Sequence, residues 1–307
     1  MSAHPRVFLW PILLASACVL AGCGGVTPIQ THFNKGVYHH SRGALDQAIA
    51  EYREALEEDP DDFRARFNLG HALEARAAEV ERRGDRERAA ALRKEAREAY
   101  ETILVSHPDN VRAAANLAAM DFEAGETDRA EERLQDLIRR HPDQVIAHTA
   151  LGAQRLRAGR LEEARQILEE ACDVRPGNEY AWYLLGLVRR RLGETEEARE
   201  AFLNTLERDP DDVAALVALG EVELEAARPA EALSWFSSAL GVDPAHYGAN
   251  LGAARASMAL GRWEAAVAHL WRARDHASDP REAETAAEML PDLYRKLLDE
   301  AAQEVTR

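Results

Sequence analysis

Apolar side chains recur at three- and four-residue spacing along most of the chain, the pattern of amphipathic helices with one buried stripe. Near the C-terminus, Ala286, Met289, Leu290, Leu293, Tyr294, Leu297, Leu298 and Ala301 form such a stripe, with charges elsewhere. It predicts a closing helix over 281–307, which Pro291 should kink or split. The segment Tyr180–Arg191 is apolar nearly all round for two turns, as expected of a helix covered on two sides. These stripes recur in one register along the chain, marked by columns of small residues and prolines. Alanine recurs at Ala48, Ala96, Ala130, Ala164, Ala198, Ala232 and Ala266, and proline follows twelve residues after the first six, from Pro60 to Pro244. A small residue precedes most of these alanines by twelve: Gly36, Ala118, Gly152, Gly186, Gly220 and Ala254. Between the two helices of each repeat stands a glycine, from Gly43 to Gly261, with Ala227 the exception.

Each column has a physical reason. The small residue lets two helices approach closely, the glycine ends the first helix, and the alanine sits where the second crosses it. Proline stops the second helix and starts the next turn. The stretch YAWYLLGLVRRRLGETEEAREAFLNTLERDP from Tyr180 to Pro210 carries every column in one register. It resembles the tetratricopeptide repeat, a helix–turn–helix unit of about 34 residues. Seven copies are predicted over 29–280, the second (63–110) longer than its siblings by seven positions in each helix. That addition is close to two turns and keeps the same face buried. The extended hairpin, with six acids and seven bases over 74–95, reads as a solvated, salt-bridged projection, with a docking finger as the alternative. The resemblance implies an all-α right-handed α-solenoid whose concave groove is lined by first helices, closed by a solvating C-terminal helix.

The first residues follow another pattern. After one charge at Arg6, Val7–Leu20 is almost wholly apolar, the size of a signal-peptide core and too short to span a bilayer. Leu20-Ala21-Gly22-Cys23 then resembles the lipobox of bacterial lipoproteins. The resemblance implies cleavage after residue 22, acylation of Cys23 (palmitate among the chains) and a short tether over 23–28. Gly24 in place of aspartate implies sorting to the outer membrane of a Gram-negative cell, on the periplasmic face.

Charge narrows the partners. Acidic side chains outnumber basic ones, 54 to 38, and only three of the basic residues are lysines. A net charge of −16 argues against nucleic acid and against docking by charge on anionic lipid, leaving the lipid anchor as the only expected membrane contact. Cys18, Cys23 and Cys172 are too few for a disulfide framework. No phosphate-binding glycine loop, nucleophile elbow or metalloprotease helix occurs, so no enzyme, cofactor or small-molecule substrate is expected. His32, His39 and His40 fall near one helix face, but no carboxylate or cysteine is placed with them, and no metal site is read there. His107 and His141 read as turn residues and Cys172 as a core thiol.

A candidate binding groove can nevertheless be drawn. Tyr180, Tyr183, Leu187, Arg190 and Arg191 lie roughly 140° from the framework face of Trp182, Leu185, Gly186 and Arg189, at about 100° per residue. Ile146, Leu156 and Arg157 extend that inner face, as do Phe67, His71 and Phe122. Aromatics beside arginines favour protein recognition, the arginines selecting an acidic or C-terminal group. The alternative is that both tyrosines pack against neighbouring repeats while the arginines pair with glutamates. The chain is therefore expected to be a non-enzymatic, lipid-anchored scaffold for proteins or peptides of the cell envelope. A pilotin-like factor for an outer-membrane secretin or polysaccharide-export pore is the second expectation.

Overall fold

The computed structural model describes residues 31–305, so the expected signal segment, Cys23 and the tether lie outside the described residues. Among those described there are fifteen helices and no strands. They are α1 (His32–Ser41), α2 (Leu45–Glu58), α3 (Phe63–Arg82), α4 (Arg86–Ser106), α5 (Val111–Glu123), α6 (Thr127–Arg140), α7 (Val145–Arg157) and α8 (Leu161–Val174). Then come α9 (Glu179–Leu192), α10 (Thr195–Leu206), α11 (Val213–Glu225), α12 (Pro229–Val242), α13 (Tyr247–Ala259), α14 (Trp263–Asp275) and α15 (Pro280–Val305). The fold class is the expected all-α solenoid of helix hairpins. Two compact units divide it, one ending at Arg93 and the other beginning at Lys94, inside α4.

In the first unit α1, α2 and α3 pack on one another. Tyr52 of α2 is fully buried, and its ring lies where a Cβ on Gly36 would stand, 2.5 Å from Cε1. Helices α3 and α4 have 20 and 21 residues, against 13 and 14 in α5 and α6. Arg93 of α4 reaches back to Glu81 of α3 at 2.5 Å.

In the second unit the hairpins α5–α6, α7–α8, α9–α10, α11–α12 and α13–α14 follow one another, and α15 packs on α14. Each small residue faces the bulky side chain sixteen positions later. A Cβ on Gly186 would stand 2.6 Å from Phe202, and one on Gly220 2.6 Å from Phe236. Wherever this bulky residue is aromatic (Tyr52, Phe202, Phe236) the small residue is glycine, and where alanine stands (Ala118, Ala254) the side chain sixteen later is Leu134 or Leu270. Glycines 43, 84, 125, 159, 193 and 261 all take positive φ, and Ala227 adopts the same left-handed conformation at φ 57°. First helices α5, α9 and α11 start on side-chain caps, Asn110, Asn178 and Asp212 accepting the N–H of Ala113, Ala181 and Ala215 at 3.0, 2.7 and 2.9 Å, whereas Gln144 before α7 makes no such bond.

Pro291 does not split α15, which runs unbroken. Its ring lies on the exposed face, whereas Ala286, Leu290 and Leu293 are buried against Ala266, Leu270 and Ala273 of α14. Water can therefore serve the carbonyl that loses its helical partner. Tyr294 and Leu298, expected in the buried stripe, are exposed by 42% and 71%, because nothing among the described residues packs beyond that end of α15.

Charged residues in one column of the first helices lock successive hairpins. Asp121, Arg155, Arg189 and Glu223 occupy the same position in four successive repeats. Asp121 has no solvent exposure and accepts from Arg97 of α4 at 2.5 Å and from Arg129 of α6, with Arg133 at 3.4 Å. Arg155, 4% exposed, pairs with Glu131 of α6 and with Glu163 at 3.3 Å. Glu223, 2% exposed, takes Arg199 at 2.8 Å and Arg228 at 2.6 Å. Three of the four thus meet the opposite charge 24 positions earlier. The fourth, Arg189, has Arg165 at that position and turns instead to Glu169 at 3.1 Å.

Candidate functional site

First helices α5, α7, α9, α11 and α13 touch one another in turn, making a continuous wall within the second unit. The wall carries most of the sequence-predicted groove residues. Phe122 is half-buried against the Ala114–Leu134–Leu151 cluster, and Ile146 packs against that cluster and the next, around Leu168 and Leu184. Tyr180 packs on the second of these, and Tyr183 and Leu187 lie against Phe202 and Leu219, with 5.9 Å between the rings of Tyr183 and Phe202. Burial raises the phenol pKa of Tyr180, opposed by the nearby Arg157, and pushes that of Tyr183 up to about 12. These side chains are half-buried, so each keeps part of its surface for a ligand.

Two expectations for this wall need correction. Leu156 is 7% exposed and belongs to the core, because the turn that carries it packs against the following hairpin. Arg190 is not available to an acid: it binds Glu225 at 2.7 Å and also Glu221 of α11. Burial works against its charge, yet the two glutamates hold its pKa above the ordinary arginine value. Arg191 spends one donor on the Leu156 carbonyl at 3.2 Å, pinning α9 to α7. That donor still leaves the guanidinium exposed, and among the described residues neither it nor the equally exposed Arg157 has a carboxylate partner. The two are one repeat apart, at the same place on adjacent helices. At the other end of the wall, Arg112 and Arg175 line an open hollow of about 390 Å³ with Ile146, Gln144, His141 and Asp109.

Phe67 and His71 lie in the first unit. Both are half-buried on α3, and His71 faces His40 of α1, its Nδ1 3.3 Å from His40 Nε2. Burial and the neighbouring ring lower the His40 pKa to about 4; burial also lowers that of His71. The three histidines read together from sequence separate: His32 bonds Glu51 at 2.7 Å, His39 stacks edge-on to Tyr38, and His40 turns to His71. Sequence reasoning missed this pair because its members stand far apart in the chain, on different helices.

Among the described residues no three His, Cys, Asp or Glu side chains gather as a metal site, and no helix is long and apolar enough to cross a membrane. Cys172 is buried and its thiol is pushed up to about 12 by that burial, which makes it a poor nucleophile. No serine, threonine or cysteine lines the hollow beside Arg112, and its one acid, Asp109, lies 3.1 Å from His141 Nε2.

Comparison with known families settles what kind of wall this is. Models described as tetratricopeptide repeat match residues 121–179, 183–246 and 223–290, and one described as TPR repeat matches 36–75. The chain belongs to the tetratricopeptide repeat family. Proteins of this family are typically non-catalytic scaffolds for other proteins. Among solved structures, that of yeast Tom70 is similar with a TM-score of 0.65 at 14% identity, over 93% of this chain and 69% of that one. A tetratricopeptide repeat protein from Parabacteroides merdae gives 0.56 at 17% identity, over 86% and 97%. YrrB, described as a TPR protein with an unusual peptide-binding site, gives 0.51 at 22% identity, over 63% and 100%. At these identities the likeness concerns the fold. No curated protein matches the chain.

Proposed function

We propose that the protein is a lipid-anchored scaffold that holds a protein segment along the wall of α5, α7 and α9. The observation that carries this reading is the pairing of half-buried apolar side chains (Phe122, Ile146, Tyr180, Tyr183, Leu187) with two arginines, Arg157 and Arg191, that no carboxylate neutralises among the described residues. Many other arginines of the second unit, among them Arg97, Arg129, Arg155, Arg189, Arg190, Arg199 and Arg228, are tied into ion pairs. Among the described residues Arg112, Arg175 and Arg255 also stand outside the ion pairs, but it is Arg157 and Arg191 that occupy matching places on adjacent first helices, and such a pair suits an extended segment with apolar anchors and an acidic group. The peptide-binding description of YrrB is in keeping with this use of the fold.

The Leu20-Ala21-Gly22-Cys23 run supports acylation at Cys23 and an outer-membrane, periplasm-facing location, in which the bound segment comes from another envelope protein. Metabolic labelling with a fatty acid tests the anchor. The natural chain should incorporate label and fractionate with outer membrane, and Cys23→Ala should do neither; an unlabelled natural chain, or an unchanged distribution of the variant, contradicts it. Loss of a multimeric pore from the membrane of cells lacking the protein would instead favour the pilotin-like role.

A further inference from the structure

We propose that His40 and His71 together chelate a divalent transition-metal ion, zinc in the first instance, between α1 and α3. The geometry fits a two-ligand chelate. Nitrogens each about 2.05 Å from a tetrahedral ion stand about 3.3 Å apart, and their ring centres about 5.2 Å apart. His40 Nε2 and His71 Nδ1 are 3.3 Å apart, and the ring centroids 5.1 Å. A straight N–H···N hydrogen bond of the same length would push the centroids to about 5.6 Å. The ring axes are thus bent away from the line joining the nitrogens, and both separations match those of a shared ion. The Tyr52 ring, edge-on to His40 at 6.3 Å and fixed by its own burial, limits the freedom of that imidazole. Burial disfavours the charged form of both rings, and the neutral imidazole is the form that binds a metal.

No third protein ligand gathers there among the described residues, so the remaining positions belong to water or to a donor from a bound molecule. Such a site binds less tightly than a closed four-ligand one, and a pair of imidazoles suits zinc, copper(II) or nickel over magnesium or calcium. The ion would join the first helices of two successive hairpins, which otherwise meet over a short stretch.

The test is calorimetric titration of zinc chloride into the metal-stripped full chain in detergent, with 15N-edited spectra of the histidine side chains. One saturable site is expected, weakened about tenfold or more in both His40→Ala and His71→Ala, and unchanged in His32→Ala and His39→Ala. Zinc should shift His40 Nε2 and His71 Nδ1, and circular dichroism should show both alanine variants folded. Three results would overturn the proposal: no saturable binding, which leaves a plain hydrogen bond between the rings; binding unchanged in both alanine variants; or binding lost equally on His39→Ala, which marks adventitious surface histidine.

Discussion

At the scale of single residues, the repeat columns act through van der Waals contact and backbone conformation. Gly186 exists to admit the ring of Phe202, so Gly186→Ala should destabilise the protein by about 1–3 kcal/mol through overpacking. Adding Phe202→Leu recreates the alanine–leucine pairing of Ala118 with Leu134 and should recover part of the loss. Urea melts of the two single variants and the double variant measure this coupling, and simple additivity would refute it. Ala227 offers the opposite case, an alanine held at φ 57° where its siblings have glycine. Ala227→Gly should stabilise by about 0.5–1 kcal/mol, read as a raised Tm, because it removes left-handed strain.

Between elements, the decisive contacts are the charged ones. Asp121 sits without exposure among Arg97, Arg129 and Arg133. Burial alone would raise its pKa, but the hydrogen bonds from Arg129 and Arg97 prevail and hold it below the ordinary carboxylate value. A depressed folded-state pKa contributes stability that is present above the unfolded value near 4 and is lost as pH falls through the folded one. Removing the carboxylate leaves three arginines facing one another. Asp121→Asn should therefore cost about 3 kcal/mol at pH 7, the low end for a broken buried pair because the arginines are partly solvated. The gap between variant and natural chain should narrow in melts carried out below pH 4; a gap independent of pH would mean that the charge is not what stabilises the junction. Since the column carries acid, base, base and acid in successive repeats, its sign also distinguishes one junction from another.

For the molecule as a whole, helices, turns and framework faces were readable in the sequence because each hairpin reuses one local solution at the same register. The long second hairpin was readable for the same reason, as two added turns preserve the buried face. Pairings between repeats were not. The tie of Arg190 to Glu221 and Glu225, the burial of Leu156 and the meeting of His40 with His71 depend on which side chains adjacent helices bring together, and periodicity within one helix carries no such information. Whether Pro291 would split its helix was not readable for a similar reason: that depends on whether its face of α15 meets water. Of the three arginines expected in the groove, Arg190 is paired with two glutamates, while Arg157 and Arg191 stand outside the ion pairs among the described residues.

The most direct test of that account is photo-crosslinking in intact cells from a residue placed at Ala153, on the wall between Ile146 and Arg157, compared with one at Glu170 on α8. The account predicts a discrete crosslinked protein from position 153 and none from position 170. It further predicts that the product is lost when Arg157→Glu and Arg191→Glu are combined, while helicity stays nearly unchanged and Tm falls only by the loss of the Arg191–Leu156 hydrogen bond, a fall that Arg191→Ala alone reproduces. A product of equal yield from both positions, or one indifferent to the double charge reversal, would contradict it.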